Sequence, residues 1–169
     1  EMLARSMDAI PPGADVLPFV QRVFETIGFG TVSTSGPDAR RLGYLRAGDA
    51  ITMNRERLVA DAKTLALSLV GGYVPPQPRT IPVGGASVLA ALKLGVHLAW
   101  RAGRISDHDA LIGRKLAWIL AGGDIPAPAT VSEQHLLDLE REAFLSLCGE
   151  RKTQERIAHT LKTGKPLRN

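Results

Sequence analysis

The sequence predicts a mostly α protein of about six helices with at most one or two short strands. Three features carry that expectation. Apolar residues recur at helical spacing, capping residues precede those runs, and Gly or Gly-Gly follows them. The 169 residues suffice for an ordinary domain core, and 44% hydrophobic with 22% charged residues is a globular balance.

Each element has its own signal. From Asp15 to Ile27, Phe19, Val20, Val23, Phe24 and Ile27 form one stripe, with Asp15 as cap, Gly28 as stop and Pro18 in the first turn, where a missing N–H is harmless. Thr31 to Ser33 reads as briefly extended, Pro37 to Leu42 as a short helix with Ser35 near its start, and Tyr44-Leu45 as a short strand. Asn54 caps a helix whose apolar face is Leu58, Val59, Ala62, Leu65, Ala66 and Leu69, ended by Gly71-Gly72. Val74-Pro75-Pro76-Gln77-Pro78 is a stiff connector and the best candidate boundary, between residues 1–72 and 73–169, yet short enough to be a loop within one unit.

Ala86 to Ala102 is apolar nearly all round, which predicts a central, buried helix carrying His97 inside. Ser106-Asp107-His108-Asp109 opens the next helix, whose end is Gly122-Gly123. Thr130-Val131-Ser132-Glu133 reads as a second capping box, before a helix through Leu136, Leu139, Ala143, Phe144 and Leu147. Thr153 caps a last helix closed by Gly164 and Pro166.

Composition narrows the function classes. A single cysteine, Cys148, excludes an internal disulfide and suits a reducing, cytoplasmic setting; it reads as a buried thiol. The apolar stretch from Val83 to Trp100, interrupted by Lys93 and His97, reads as a core helix rather than a membrane span, and no secretory leader is visible. The chain starts at Glu1 rather than Met, a sign of truncation. The net charge of +4 sits entirely in the last twenty residues, where six basic groups (Arg151, Lys152, Arg156, Lys162, Lys165, Arg168) face two acids. Such a tail attracts phosphates or an acidic partner, or is simply a solvated helix.

No catalytic set is legible. Asp107-His108-Asp109 resembles metal ligands, yet consecutive helical residues point to different faces, and capping explains them better. Gly84-Gly85-Ala86 offers N–H groups at a helix start but lacks the lysine and hydroxyl of a phosphate loop, so close packing is the better account. No metal site and no nucleic-acid interface are expected. Aromatic residues are only 5% of the chain.

Several segments resemble one group of bacterial fatty-acid β-oxidation proteins, which join a 3-hydroxyacyl-CoA dehydrogenase to a C-terminal, crotonase-like enoyl-CoA hydratase. They include Leu42-Gly43-Tyr44-Leu45-Arg46, Asp49-Ala50-Ile51-Thr52-Met53-Asn54-Arg55, Gly72-Tyr73-Val74-Pro75-Pro76, Val131 to Phe144, and Thr163-Gly164-Lys165-Pro166-Leu167-Arg168-Asn169. Ser33-Thr34-Ser35-Gly36-Pro37-Asp38-Ala39 resembles the segment after the helix that follows the active-site turn, and Glu1 to Arg5 that helix itself.

The resemblance implies that residues 1–72 end a crotonase-like core and that 73–169 close the CoA site and an assembly interface. It implies no catalytic residue and no bound NAD in this chain, because the oxyanion hole, the acid/base pair and the NAD-binding unit lie upstream in the family. Lys162 and Lys165 then become candidate contacts to CoA phosphates and Phe144 a candidate contact to nucleotide or acyl chain. The expected partners are acyl-CoA, the upstream crotonase and dehydrogenase regions and further copies of the protein, with no membrane. The alternative is a non-enzymatic helical module that binds an acidic partner through the basic tail.

Overall fold

A computed structural model describes residues 1–11 and 13–169. The described residues form eight α-helices and one two-stranded antiparallel sheet, so the mostly α expectation holds. The chain divides into two compact units, residues 1–31 with 79–169, and residues 32–78.

The larger unit contains α1 (Met2–Asp8), α2 (Leu17–Gly28), β1 (Thr80–Val83), α5 (Gly85–Arg101), α6 (Asp107–Ala121), β2 (Ala129–Ser132), α7 (Glu133–Cys148) and α8 (Arg151–Thr163). Its core gathers Leu3, Ala4 and Met7 from α1, Val20 and Val23 from α2, Ile81 and Val83 from β1, Val88 and Leu92 from α5, and Ala117, Leu120 and Ala121 from α6. These are the residues that helical spacing puts on one face of each helix and strand alternation on one face of β1.

The sheet was not located by sequence. Ile81 opposes Val131 and Val83 opposes Ala129, with Ile81 and Val83 buried. Arg79, just before β1, ion-pairs with Asp8 of α1, and its carbonyl accepts the Glu133 N–H at 3.1 Å. Pairing with β1 holds residues 129–132 extended, so Thr130 does not cap α7. Ser132 does, its hydroxyl accepting the His135 N–H at 3.1 Å.

Helix α5 differs from expectation. Gly85, Val88, Leu92 and Val96 are buried, while Leu94, His97 and Leu98 are exposed, so the helix lies against the core along one stripe only. Gly85 adopts φ +60°, and a Cβ there would sit 2.6 Å from the Ala127 carbonyl oxygen. The Gly84-Gly85 step is therefore a close-packed helix start, as the sequence suggested.

In the smaller unit, α3 (Gly36–Arg41) is capped by Ser35, whose hydroxyl accepts the Asp38 N–H at 3.2 Å. Tyr44 and Leu45 form no strand; their N–H groups close back onto the Ala39 carbonyl. Asn54 accepts the Glu56 N–H at 2.9 Å, starting one 3-10 turn that leads into α4 (Leu58–Val70). No residue from Val32 to Pro78 is buried, and Val59, Leu67, Leu69 and Val70 of α4 are each more than half exposed.

Gly103 and Gly122 both have positive φ, but only Gly122 is crowded. Its Cβ would lie 2.7 Å from Val83 Cγ2, whereas nothing approaches Gly103. Gly103→Ala is expected to cost about 1–2 kcal/mol from backbone strain alone, and Gly122→Ala about 1–3 kcal/mol more from overpacking. Urea unfolding of the two variants checks the difference, which equal costs would contradict.

Candidate functional site

The sequence places two of its three candidates, Lys162 and Lys165, at the C-terminal helix, and that helix carries a polar clasp. Ser106 caps α6 reciprocally: its hydroxyl accepts the Asp109 N–H at 3.1 Å, and its own N–H donates to Asp109 Oδ2 at 3.0 Å. That box leaves Asp109 Oδ1 free to take the Arg156 guanidinium of α8 at 2.7 Å. Arg156 also donates through Nε to the Asn169 side-chain oxygen at 2.8 Å, and Asn169 Nδ2 donates to Glu155 at 2.9 Å. The C-terminal residues are thus tied back onto α8, and α8 onto the start of α6.

His108 lies beside this group, buried, with Nε2 2.9 Å from the Thr153 hydroxyl. Thr153 therefore serves α8 as an inward tertiary contact. The helix begins earlier, at Arg151, with Glu150 as its N-cap. Burial holds the His108 imidazole below the usual histidine range, and the nearby Arg156 and Lys152 push it further down. Burial alone would raise Asp109, but the Ser106 N–H and hydroxyl and the Arg156 guanidinium outweigh it and hold the carboxyl below its usual range. Arg151 and Asn169 lower Glu155 in the same way.

The three residues Asp107, His108 and Asp109 have three separate partners. Asp107 accepts the Trp100 indole N–H at 2.6 Å, His108 faces Thr153, and Asp109 faces Arg156. Among the described residues no group of His, Cys, Asp or Glu could hold a metal ion. His135, also read as structural, reaches from α7 to the Gly122 carbonyl at 2.9 Å. Cys148 is half-buried rather than buried. Among the described residues no helix is long and apolar enough to cross a membrane.

Lys162 lies exposed in the last turn of α8, and Lys165 lies exposed just beyond its left-handed cap, Gly164. The Lys165 N–H donates to Thr163 at 3.2 Å, fixing its backbone and leaving its ammonium in solvent. Phe144 is 58% exposed on α7. No hydrogen bond or ring contact among the described residues joins these three. Sequence reading missed the clasp, whose members come from α6, α8 and the terminal residue; its one local signal is the Ser106–Asp109 capping box.

The depressed His108 has a pH consequence. The unfolded chain takes up the imidazole proton near the ordinary value of about 6.5, and folded His108 only at lower pH. Within that window the unfolded state binds more protons, so stability falls as pH is lowered from about 7 toward 5. Asp109 and Glu155 contribute above the ordinary carboxylate range and fade only at lower pH. His108→Gln is expected to flatten the loss between pH 7 and 5, measured by urea midpoints; an unchanged slope would contradict this origin.

No family model and no solved structure matches this sequence. Among curated proteins it is 45% identical over 158 residues to a probable 3-hydroxyacyl-CoA dehydrogenase of Bacillus subtilis (strain 168). The match covers 93% of this chain and 20% of the relative. The chain is therefore similar, over nearly its whole length, to one fifth of a longer protein of that name.

Proposed function

We propose that this chain is the C-terminal part of a larger cytoplasmic fatty-acid β-oxidation protein acting on acyl-CoA thioesters. The whole protein would oxidise 3-hydroxyacyl-CoA with NAD and hydrate enoyl-CoA. In this reading the chain completes the fold, supports assembly between copies and contributes contacts to CoA phosphates through Lys162 and Lys165. The observation that carries the reading is the 45% identity, sustained over 93% of the chain, to a probable 3-hydroxyacyl-CoA dehydrogenase.

Two structural features support it. Residues 32–78 fold into a capped helix pair without one buried residue, although α4 is rich in leucine and valine. Burying a large aliphatic side chain contributes about 1.5–3 kcal/mol, so such a stretch favours an apolar neighbour. The exposed Lys162 and Lys165 are point charges suited to phosphate oxygens.

The test compares two proteins: the 169-residue chain and the full product of its reading frame. Each is assayed with crotonyl-CoA for hydration and with 3-hydroxybutyryl-CoA plus NAD for oxidation. The full product is expected to turn over both substrates and the 169 residues neither. Turnover by the short chain, or an inactive full product, would overturn the reading.

A further inference from the structure

A second cationic feature lies away from the tail. Between α5, α6, the turn after α6 and α7 is an open depression of about 400 Å³, within the size range of small-ligand sites. Three of its lining residues are cations: Lys93 of α5, and Arg114 and Lys115 of α6. Trp118 follows Arg114 by four residues and Leu111 precedes Lys115 by four, so helical spacing gathers all four α6 residues on one face.

The charges are not used internally. Arg57, Arg79, Arg141, Arg151 and Arg156 all pair with carboxylates, whereas Lys93, Arg114 and Lys115 have no ion-pair partner among the described residues. Two carboxylates line the same depression. Asp124 is occupied, accepting the Trp118 indole N–H at 3.1 Å, which also anchors the ring at one edge. Glu142 on α7 pairs with none of the three cations and is an acceptor suited to a hydroxyl. Unpaired cations beside an anchored indole suit a ligand that combines phosphates with a flat base.

We infer that this depression binds a phosphorylated nucleotide, with Lys93, Arg114 and Lys115 taking the phosphates and Trp118 the base. The nucleotide is either free or the adenosine bisphosphate end of a CoA thioester; only the second source rests on the function proposed above. This assigns phosphate recognition to the α5–α6 face, separate from Lys162 and Lys165.

The experiment titrates the 169-residue chain with CoA, 3′,5′-ADP and inorganic phosphate by calorimetry at low salt. Both nucleotides are expected to bind, free phosphate at least about tenfold more weakly, and affinity is expected to fall as salt rises. Arg114→Glu/Lys115→Glu is expected to abolish binding, and Lys63→Glu, an exposed charge reversal on α4, to preserve it. Lys93→Glu, a single change on the exposed side of α5, gives the same reading should the double variant not fold. Binding of 3′,5′-ADP without binding of CoA upholds the nucleotide site and removes CoA as its source. No binding of any phosphate compound, unchanged binding in the Arg114/Lys115 variant, or phosphate binding as tightly as nucleotide would overturn the inference.

Discussion

Helix α6 is the constraint on which the larger unit depends. It meets α2, α5 and α7, and Ala117, Leu120 and Ala121 carry its contribution to the core. Small residues set how close its neighbours come. Gly113, in the middle of the helix, faces Val96 of α5 so closely that a Cβ would lie 3.1 Å from Val96 Cγ2. A mid-helix glycine costs roughly 0.5–1 kcal/mol against alanine, and close approach of α5 is the return for it. Both ends of α6 are fixed as well. The Ser106–Asp109 box holds the start, where Arg156 then docks α8. Gly122 ends it in the left-handed conformation, and its carbonyl takes His135 from α7.

This dependence explains which parts of the fold were readable from residue order. The helices around Ser106–Ala121 and Leu136–Leu147 were legible because stripe, cap and stop all lie within a few residues of one another. Around Phe19–Ile27 the stripe alone marks the helix, which starts at Leu17 after Val16 rather than at an Asp15 cap and includes Gly28 as its last residue. The strand pair was not, because Ile81 and Val83 have only a short alternation, and their partners lie some fifty residues away. Thr130 and Thr153 have cap-like sequences, yet tertiary contacts give both a different use: one lies in β2, the other faces His108. His97 was placed inside because α5 is apolar overall, but the structure buries only one of its stripes. Lys162, Lys165 and Phe144 rested on resemblance alone. The α5–α6 depression combines residues from separate segments, and no local pattern announces such a combination.

The two units differ in physical character. The larger has a continuous apolar core and polar links that reach the terminal Asn169. The smaller is organised by caps and ion pairs, among them Arg41–Asp38 at 2.8 Å and Arg57–Asp61 at 3.3 Å. Exposed pairs of this kind contribute about 0–1 kcal/mol each, too little to hold α4 in place. The stripe of Leu58, Val59, Leu65, Leu69 and Val70 is what a neighbouring surface would bury. The relative is about five times as long as the matched region, and in the reading proposed above the further residues of a longer protein would supply that surface.

Hydrogen exchange followed by mass spectrometry tests that account most directly, comparing the 169-residue chain with the full product of its reading frame. In the short chain, amides of residues 58–70 are expected to exchange far faster than those of residues 107–121, and to become protected in the longer protein. Equal protection of the two helices in the short chain, or no gain for residues 58–70 in the longer one, would contradict it.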